Sequence, residues 1–412
     1  MYFSLRCHLC QASYPAEALW VCSQCLGPLE VTYDYAAIAP LLSRELIAGR
    51  PKSLWRYREL LPITGEPRTG LHSGFTPLVR ADRLAARLGV SELYVKDDSV
   101  NHPTCSYKDR VVSVAATRAV ELGFTMFACA STGNLAGSVA SHAARLGLSC
   151  AVFIPDDLEP AKVAGASVYR PQIIAVRGNY DDVNRLCTQV ADRYGWGFAN
   201  INLRAYYAEG AKSMGFEIAE QLGWRFPRHI VSPVAGGTLL PRILKGLEEF
   251  KTIGLVDGDL PAIHAAQAAG CAPVVRALDA GLEFPDPVKP KTIAKSIAIG
   301  NPADGFQVLR SVRSTGGSGA MVTDEELVAG IKLLAETEGI FTEPAGGVTV
   351  AATKKLIDRG TLPRDESIVI CITGNGYKTV EVLNGHGVTP VQIGRSLADF
   401  EASAAAPEHV QI

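Results

Sequence analysis

The feature that most constrains this chain is a regular alternation of short apolar runs and longer amphipathic segments between residue 93 and about residue 385. The apolar runs predict strands at residues 93–96, 126–130, 151–154, 173–176, 230–234, 263–265 and 368–372. The segments between them predict helices at residues 111–122, 134–146, 181–194, 209–222, 239–250, 323–337 and 347–359. Such alternation is typical of parallel sheets flanked by helices, so the sequence predicts an α/β fold.

Composition excludes several classes of protein. The chain has 412 residues, enough for two or three domains, and 40 basic residues nearly balance 42 acidic ones. We therefore expect no nucleic-acid partner and no membrane partner, and no apolar run reaches the roughly 18 residues of a membrane span. The N-terminal residues have no pattern of a secretory signal, and six of the ten cysteines lie scattered in apolar stretches, as free thiols usually do. A cytoplasmic location is the expectation.

The other four cysteines form two Cys-x2-Cys pairs, made of Cys7 with Cys10 and Cys22 with Cys25. Two such pairs within 20 residues are typical of a zinc ribbon, in which four thiolates hold one structural Zn²⁺. The alternative is two pairs of surface thiols without metal. The alternating residues 29–35 predict a strand that closes this module. Arg6 is the only basic residue among the first 43, and this scarcity of positive charge favours a structural or oligomer contact over nucleic-acid binding.

The segment after the ribbon is expected to be an arm laid over the next domain rather than a free linker. Its apolar side chains, Leu54, Trp55, Tyr57, Leu60 and Leu61, need a surface to cover them. We predict a ribbon-like module at residues 1–35, an arm and entry segment at 36–92, a catalytic domain of two α/β subdomains at 93–390, and a flexible tail at 391–412.

Lys108 is the candidate for a reactive amine. It follows the strand predicted at residues 93–96 and precedes the helix predicted from residue 111. The helix dipole and partial burial would both oppose an ammonium group there, which favours the neutral amine that can form a Schiff base. For a lone lysine, a solvated pair with Asp109 would be the more common arrangement.

Three predicted strands end in small-residue loops that begin a new segment, which is where open α/β sheets bind ligands. The first is Ser131-Thr132-Gly133-Asn134, which offers hydrogen-bond donors to a carboxylate and an amide to a phenolic oxygen. The second contains Ala235, Gly236, Gly237 and Thr238 before a predicted helix, and is suited to a phosphate. The third begins at Thr373. Each loop alone is weak evidence, because any turn between a strand and a helix can contain glycine.

Together, the amine and the three loops match the needs of pyridoxal phosphate and an amino-acid substrate. The segments that carry chemistry also resemble threonine synthase, a fold-type II pyridoxal-phosphate enzyme. They are Asn-x-Pro-Thr-x-Ser-Tyr-Lys-Asp-Arg (101–110), Ser-Thr-Gly-Asn (131–134), Tyr-Ala-Glu-Gly-x-Lys-Ser (207–213), Ile-Gly-Asn-Pro-Ala-Asp (299–304), Glu-Gly-Ile-Phe-Thr-Glu-Pro-Ala-Gly-Gly (338–347) and Thr-Gly-Asn-Gly-Tyr-Lys (373–378). The resemblance covers residues 75–382 and takes in the cysteine-bearing N-terminal module.

The resemblance implies two doubly wound open-sheet subdomains and a role for each candidate residue. Lys108 would be the catalytic, Schiff-base lysine. The implied cofactor-binding residues are Lys108, Tyr107, Asn134, Ala235, Gly236, Gly237, Thr238 and Thr373, with Asn134 at the ring oxygen and Thr373 at the ring nitrogen. The implied substrate-binding residues are Ser131 and Thr132 for the carboxylate, and Arg204 and Lys212 for a leaving phosphate. Homodimers are common in this fold type, so a homodimer is expected.

The implied reaction converts O-phospho-L-homoserine and water to L-threonine and phosphate. The chain departs from the commoner pattern at Tyr207, where many threonine synthases have arginine. A threonine or serine dehydratase, or another β-replacement enzyme such as cysteate synthase, is the alternative. A non-catalytic sensor of a metabolite is a further alternative, but it would have no chemical need for Lys108 and all three loops.

Overall fold

The computed structural model describes residues 2–131, 133–156, 160–178, 180–385 and 390–403. The strands are β1 (Phe3–Cys7), β2 (Ser13–Tyr14), β3 (Leu29–Tyr33), β4 (Leu78–Arg80), β5 (Glu92–Asp97), β6 (Met126–Ala130), β7 (Ser149–Pro155), β8 (Gln172–Val176), β9 (Gly197–Phe198), β10 (His229–Pro233), β11 (Ala262–Ala268), β12 (Gly319–Val322) and β13 (Ser367–Ile372). The helices are α1 (Tyr35–Ile38), α2 (Arg44–Ala48), α3 (Asp82–Leu88), α4 (Lys108–Glu121), α5 (Asn134–Leu146), α6 (Pro160–Ser167), α7 (Tyr180–Tyr194), α8 (Arg204–Ala211), α9 (Ser213–Gln221), α10 (Leu239–Thr252), α11 (Pro273–Asp279), α12 (Gly305–Ser314), α13 (Asp324–Glu338), α14 (Pro344–Asp358) and α15 (Leu397–Glu401).

The N-terminal module is a three-stranded antiparallel sheet with the strand order β2-β1-β3. Alternate residues of β1 and β3 face inward, so that Leu5 and Val31 are buried opposite each other. This inward face packs against α8, which carries part of the candidate active site. The zinc-ribbon-like β module expected from the cysteine spacing is therefore present as a sheet.

Two further sheets form the catalytic part. One has four parallel strands in the order β8-β7-β6-β9, and the other has six in the order β12-β11-β10-β13-β5-β4. All pairs in the second sheet are parallel except β4 with β5, which is antiparallel. The predicted α/β class with open sheets is confirmed. The predicted strands all form, and the sequence missed three short strands of these sheets, β4, β9 and β12.

The predicted single helix at residues 209–222 is wrong, because two helices occupy this region. α8 begins earlier, at Arg204, and a turn at Lys212 separates it from α9. Close packing explains the break: a Cβ at Gly210 would lie 2.4 Å from the Arg110 carbonyl oxygen, and one at Gly246 would lie 2.5 Å from the Lys212 carbonyl oxygen. The backbone of this region is therefore shaped by α4 and α10 and not by its own apolar period.

The segment between the ribbon and the catalytic sheets packs as expected of an arm. All five apolar side chains singled out in the sequence, Leu54, Trp55, Tyr57, Leu60 and Leu61, are buried. Residues 1–379 form one compact unit, and residues 380–412 form a second, which contains α15. In the part of the chain that the structure describes, no helix is both long enough and apolar enough to cross a membrane.

Candidate active site

Lys108 is the first residue of α4, and the loop before it is bonded to the loop after β13. The Tyr107 N–H donates to the Thr373 carbonyl at 3.0 Å, and the Asn375 N–H donates to the Cys105 carbonyl at 3.2 Å. These bonds bring the lysine and the third small-residue loop together at the carboxyl ends of β5 and β13, which are adjacent in one sheet.

Asp109 fixes the same loop to α5. Its carboxylate accepts hydrogen bonds from the Thr104 N–H at 2.9 Å, the Thr104 hydroxyl at 2.8 Å and the Ser138 hydroxyl at 2.7 Å. Asp109 is thus committed to the loop and to α5 and is not the solvated partner of Lys108. Because α5 begins at Asn134, this contact also holds the first small-residue loop beside the lysine.

The Lys108 amine lies between two tyrosine hydroxyls. Its Nζ atom is 2.6 Å from the Tyr107 hydroxyl and 3.2 Å from the Tyr207 hydroxyl. Burial opposes the ammonium form, but these two oxygens outweigh it and raise the pKa of Lys108 above its ordinary value. The sequence-based expectation of a neutral free amine did not include these two phenol hydroxyls, which accept hydrogen bonds from Nζ.

Helix α8 connects Lys108 with the glycine-containing second loop. Tyr207 is almost fully buried, and Arg204 lies one turn earlier on the same helix. The Arg204 guanidinium forms an ion pair of 2.8 Å with Asp304, which also accepts a 3.1 Å hydrogen bond from the Thr238 hydroxyl. Arg204 and Tyr207 therefore link the second loop to the lysine.

The second loop has the shape that a phosphate group requires. Gly237 has φ of 95°, a conformation that favours glycine, and a Cβ there would lie 2.8 Å from the Asp304 backbone. A Cβ on Gly236 would meet nothing within 4 Å, so open space lies in front of this backbone. The loop leads into the 14-residue α10, whose N-terminal N–H groups and dipole attract anions. These residues fit the phosphate of pyridoxal phosphate.

The first loop is shaped by Ser131. Its hydroxyl accepts hydrogen bonds from the Gly133 N–H at 3.2 Å and the Ala136 N–H at 3.0 Å, which caps the start of α5. Open space faces Gly133 as it does Gly236. Thr132, the second residue predicted to bind the substrate carboxylate, lies outside the described residues.

Asn134 has charged neighbours on both sides of its amide. Its Nδ2 atom donates to the Glu343 carboxylate at 3.0 and 3.2 Å, and its Oδ1 atom accepts from Lys378 at 2.8 Å. Burial raises the pKa of Glu343, although Lys378, Asn134 and Lys108 act in the opposite direction. Sequence analysis assigned no role to Glu343 or Lys378, although both stand in the motifs quoted above.

Lys212 is placed elsewhere. It is fully buried, and its Nζ atom lies 2.8 Å from Glu209, 2.8 Å from Glu249 and 3.8 Å from the centre of the Tyr33 ring. These contacts join α8, α10 and the N-terminal module into one buried charge cluster. The structure brings Tyr207 of α8 to Lys108, but it places the Lys212 ammonium group with Glu209 and Glu249 instead.

A second buried charge cluster supports the start of α4. Arg110 binds Asp98 through two hydrogen bonds of 2.6 and 2.8 Å and also pairs with Glu217 of α9. Glu217 pairs in addition with Lys96 of β5 at 2.6 Å. All four side chains are fully buried, so the residue two positions after Lys108 is locked between β5 and α9.

The four cysteines of the N-terminal module converge. Their sulfur atoms all lie within 4.8 Å of one another, with 3.5 Å between Cys7 and Cys25 and 3.5 Å between Cys10 and Cys22. A tetrahedral Zn²⁺ with bonds of about 2.3 Å places its sulfur ligands about 3.8 Å apart. Burial opposes the Cys22 thiolate, but the Tyr14 hydroxyl and backbone N–H groups lower its pKa to about 6. The donor set fits zinc.

Comparison with known proteins agrees with this geometry. The family described as pyridoxal-phosphate dependent enzyme matches residues 70–374. The chain is 39% identical to threonine synthase from Methanosarcina acetivorans over 91% of this chain and 92% of the relative. It is also 39% identical to threonine synthase from Methanocaldococcus jannaschii, over 94% of this chain and 96% of the relative. The chain belongs to the threonine synthase family of pyridoxal-phosphate dependent enzymes.

Solved structures of similar shape support the same fold. Maize serine racemase aligns with a TM-score of 0.64 at 20% identity and covers 77% of this chain and 95% of that chain. The L-serine ammonia-lyase of Rhizomucor miehei aligns with a TM-score of 0.64 at 21% identity and covers 76% of this chain and 96% of that chain. The predicted lyase class, the fold type and the cofactor are confirmed, and the dehydratase alternative is not favoured.

Proposed function

We propose that this threonine synthase family member converts O-phospho-L-homoserine and water to L-threonine and phosphate, with Lys108 as its proton-transferring lysine. The observation that carries the proposal is the convergence of Lys108 with Tyr107, Tyr207 and Thr373 at the edge of one sheet. When bound, pyridoxal phosphate withdraws electrons from the substrate amino acid and makes the protons of its α and β carbons acidic. Lys108 removes and returns those protons.

The remaining residues hold the cofactor and substrate. Residues 235–238 would hold the cofactor phosphate at the N-terminus of α10, Asn134 would hold the ring oxygen and Thr373 would hold the ring nitrogen. Tyr107, directly before the lysine, orients it. Ser131 and Thr132 receive the substrate carboxylate. The open space at Gly133 and the N-terminus of α5 support this role.

Arg204 is the residue we propose for the leaving phosphate. Its side chain is 36% exposed and lies on the same face of α8 as Tyr207, one turn from the hydroxyl that contacts Lys108. A guanidinium group is suited to receive a phosphate dianion as it departs. The Lys212 ammonium group pairs with Glu209 and Glu249, and we propose that it holds the N-terminal module against α8.

Replacement of Arg204 by alanine is expected to lower kcat/KM for O-phospho-L-homoserine by about 10- to 100-fold, the effect of losing one charge-assisted hydrogen bond to a phosphate. Phosphate release from purified, cofactor-loaded protein measures it. Arg185→Ala is the matched control, because Arg185 is 71% exposed and pairs only three residues away, with Asp182. Equal kcat/KM values in the two variants would remove Arg204 from the phosphate site.

The Cys7, Cys10, Cys22 and Cys25 cluster is proposed to hold one structural Zn²⁺. Metal analysis of the purified protein is expected to give about one zinc per chain, and Cys22→Ser is expected to abolish it. Zinc content that is unaffected by the substitution would contradict this assignment. A cytoplasmic location and the division at residues 35, 92 and 390 remain proposals that rest on the sequence pattern. A homodimeric assembly remains a proposal that rests on the resemblance to the fold type.

A further inference from the structure

Glu343 is a buried carboxylate without a role in the reaction described so far. It stands at the N-cap of α14, yet its side chain makes no capping hydrogen bond to that helix. Only 3% of the residue is exposed, and both carboxylate oxygens instead accept from Asn134 Nδ2 on α5. The carboxylate binds a distant amide and does not cap its own helix. This arrangement indicates that the amide of Asn134 needs a hydrogen-bond acceptor at this position.

The third small-residue loop is built around this carboxylate. A Cβ on Gly374 would lie 2.5 Å from Glu343 Oε1, so any larger residue there would displace the side chain. The Glu343 N–H donates to the Gly374 carbonyl at 3.1 Å, and the Thr342 hydroxyl donates to the same carbonyl at 3.0 Å. The glycine of this loop thus makes room for Glu343 beside Thr373.

Lys378 completes the arrangement from the opposite side. Its Nζ atom donates to Asn134 Oδ1 at 2.8 Å and to the Thr104 carbonyl at 2.7 Å. The amide of Asn134 therefore has its oxygen on an ammonium group and its nitrogen on a carboxylate. Rotating the amide by half a turn would set oxygen against carboxylate and nitrogen against ammonium, so the two charges allow one orientation.

We propose that Glu343 is a positioning residue that fixes the amide of Asn134 so that its second N–H is presented to the ring oxygen of pyridoxal phosphate. This inference rests on the cofactor-binding role proposed for Asn134. Asn134 Nδ2 carries two hydrogens, of which Glu343 uses one and the other is available to the cofactor. Lys378 supports the same orientation through Oδ1.

The test measures cofactor binding without substrate. Glu343→Gln is expected to weaken pyridoxal-phosphate affinity by about 10-fold, as loss of a supporting partner typically does, and to shift the visible absorption band of the bound cofactor. Glu338→Gln is the matched control, since Glu338, five residues earlier, accepts from the Leu84 N–H at 2.6 Å and is expected to leave both readouts unchanged.

A double-mutant cycle with Asn134→Ala separates positioning from a general structural effect. If Glu343 acts through Asn134, Glu343→Gln adds no further loss of affinity and no further band shift in the Asn134→Ala background. Additive losses would overturn the proposal. If Glu343→Gln fails to fold, Lys378→Met takes its place, because Lys378 is exposed and is not part of the hydrophobic core. Lys378→Met is expected to weaken cofactor affinity about 3-fold and to shift the absorption band in the same direction.

Phosphate release from O-phospho-L-homoserine is measured on the same proteins as a separate readout. If the variants show the expected coupling but the wild-type protein releases no phosphate, the proposed substrate is refuted and the positioning role is left intact. The opposite outcome would refute the positioning role alone. In that case the wild-type protein turns over the substrate, while Glu343→Gln and Lys378→Met bind the cofactor with wild-type affinity and absorbance.

Discussion

Replacement of Lys108 by alanine is expected to lower the rate of phosphate release by more than about 10,000-fold, at or beyond the upper limit of what one acid-base residue contributes. Among the described residues at this sheet edge, Lys108 has the amine proposed to transfer the protons, and the Tyr107 and Tyr207 hydroxyls hold that amine in place. Steady-state assay of cofactor-loaded protein measures the loss. The formation of phosphate and the formation of threonine should be lost together.

Lys354→Ala is the control for this substitution. Lys354 lies on the exposed face of α14, where it pairs with Asp358 four residues later and 57% of its side chain is exposed. Its replacement is expected to leave the rate unchanged and stability within about 0.5 kcal/mol. A Lys108→Ala protein that retains a tenth or more of the activity would show that another group transfers the protons.

Replacement of Glu217 by glutamine is expected to destabilise the protein by about 3 kcal/mol, the cost of removing one partner from a buried ion cluster. Lys96 and Arg110 are both fully buried, and the change leaves Arg110 paired with Asp98 but removes the carboxylate that lies 2.6 Å from Lys96. The midpoint of urea denaturation measures the loss. Because Arg110 follows Lys108 by two residues, activity should fall at temperatures where the folded protein persists.

The same substitution at Glu92 provides the comparison. Glu92 belongs to β5, as Lys96 does, and forms an ion pair of 2.6 Å, but its partner Arg225 is 48% exposed. Glu92→Gln is expected to cost less than about 1 kcal/mol. Equal losses in the two variants would mean that burial of the Glu217 cluster contributes nothing to stability.

The pH dependence of the Glu217 effect follows from its pKa. Burial opposes ionisation, but Arg110 and Lys96 outweigh it and lower the pKa of Glu217 from 4.5 to about 2. The stabilisation is therefore fully present above pH 4.5 and is lost as the pH falls from 4.5 towards 2. The stability difference between wild type and Glu217→Gln should shrink over this interval.

Local sequence patterns predict the longer helices and strands, with several of their ends displaced by a few residues. The start of α5 at Asn134 and the strand at residues 126–130 follow from apolar spacing and small-residue turns, which act over a few residues. The same patterns locate Lys108, the glycines at 236 and 237, and Thr373. These positions depend on a general property of α/β folds, in which ligands bind where strands end and helices begin.

The contacts that sequence could not predict join residues far apart in the chain. Glu343 and Asn134 are separated by 209 positions, and no local rule shows that a carboxylate after one helix reaches an amide before another. Tyr207 was noted only as a departure from arginine, whereas its hydroxyl reaches Lys108 across 99 positions. Lys212 has Glu209 nearby in sequence, but Glu249 of α10, which completes its burial, is 37 positions away.

The most direct test of the proposed reaction is turnover of O-phospho-L-homoserine in water enriched in oxygen-18. Loss of phosphate from the γ carbon, followed by water addition at the β carbon, predicts one labelled oxygen in the hydroxyl group of each threonine and none in the phosphate. Label in phosphate, with homoserine as the product, would show hydrolysis of the phosphate ester and contradict the account. Formation of 2-oxobutanoate from threonine without phosphate release would contradict it in favour of a dehydratase.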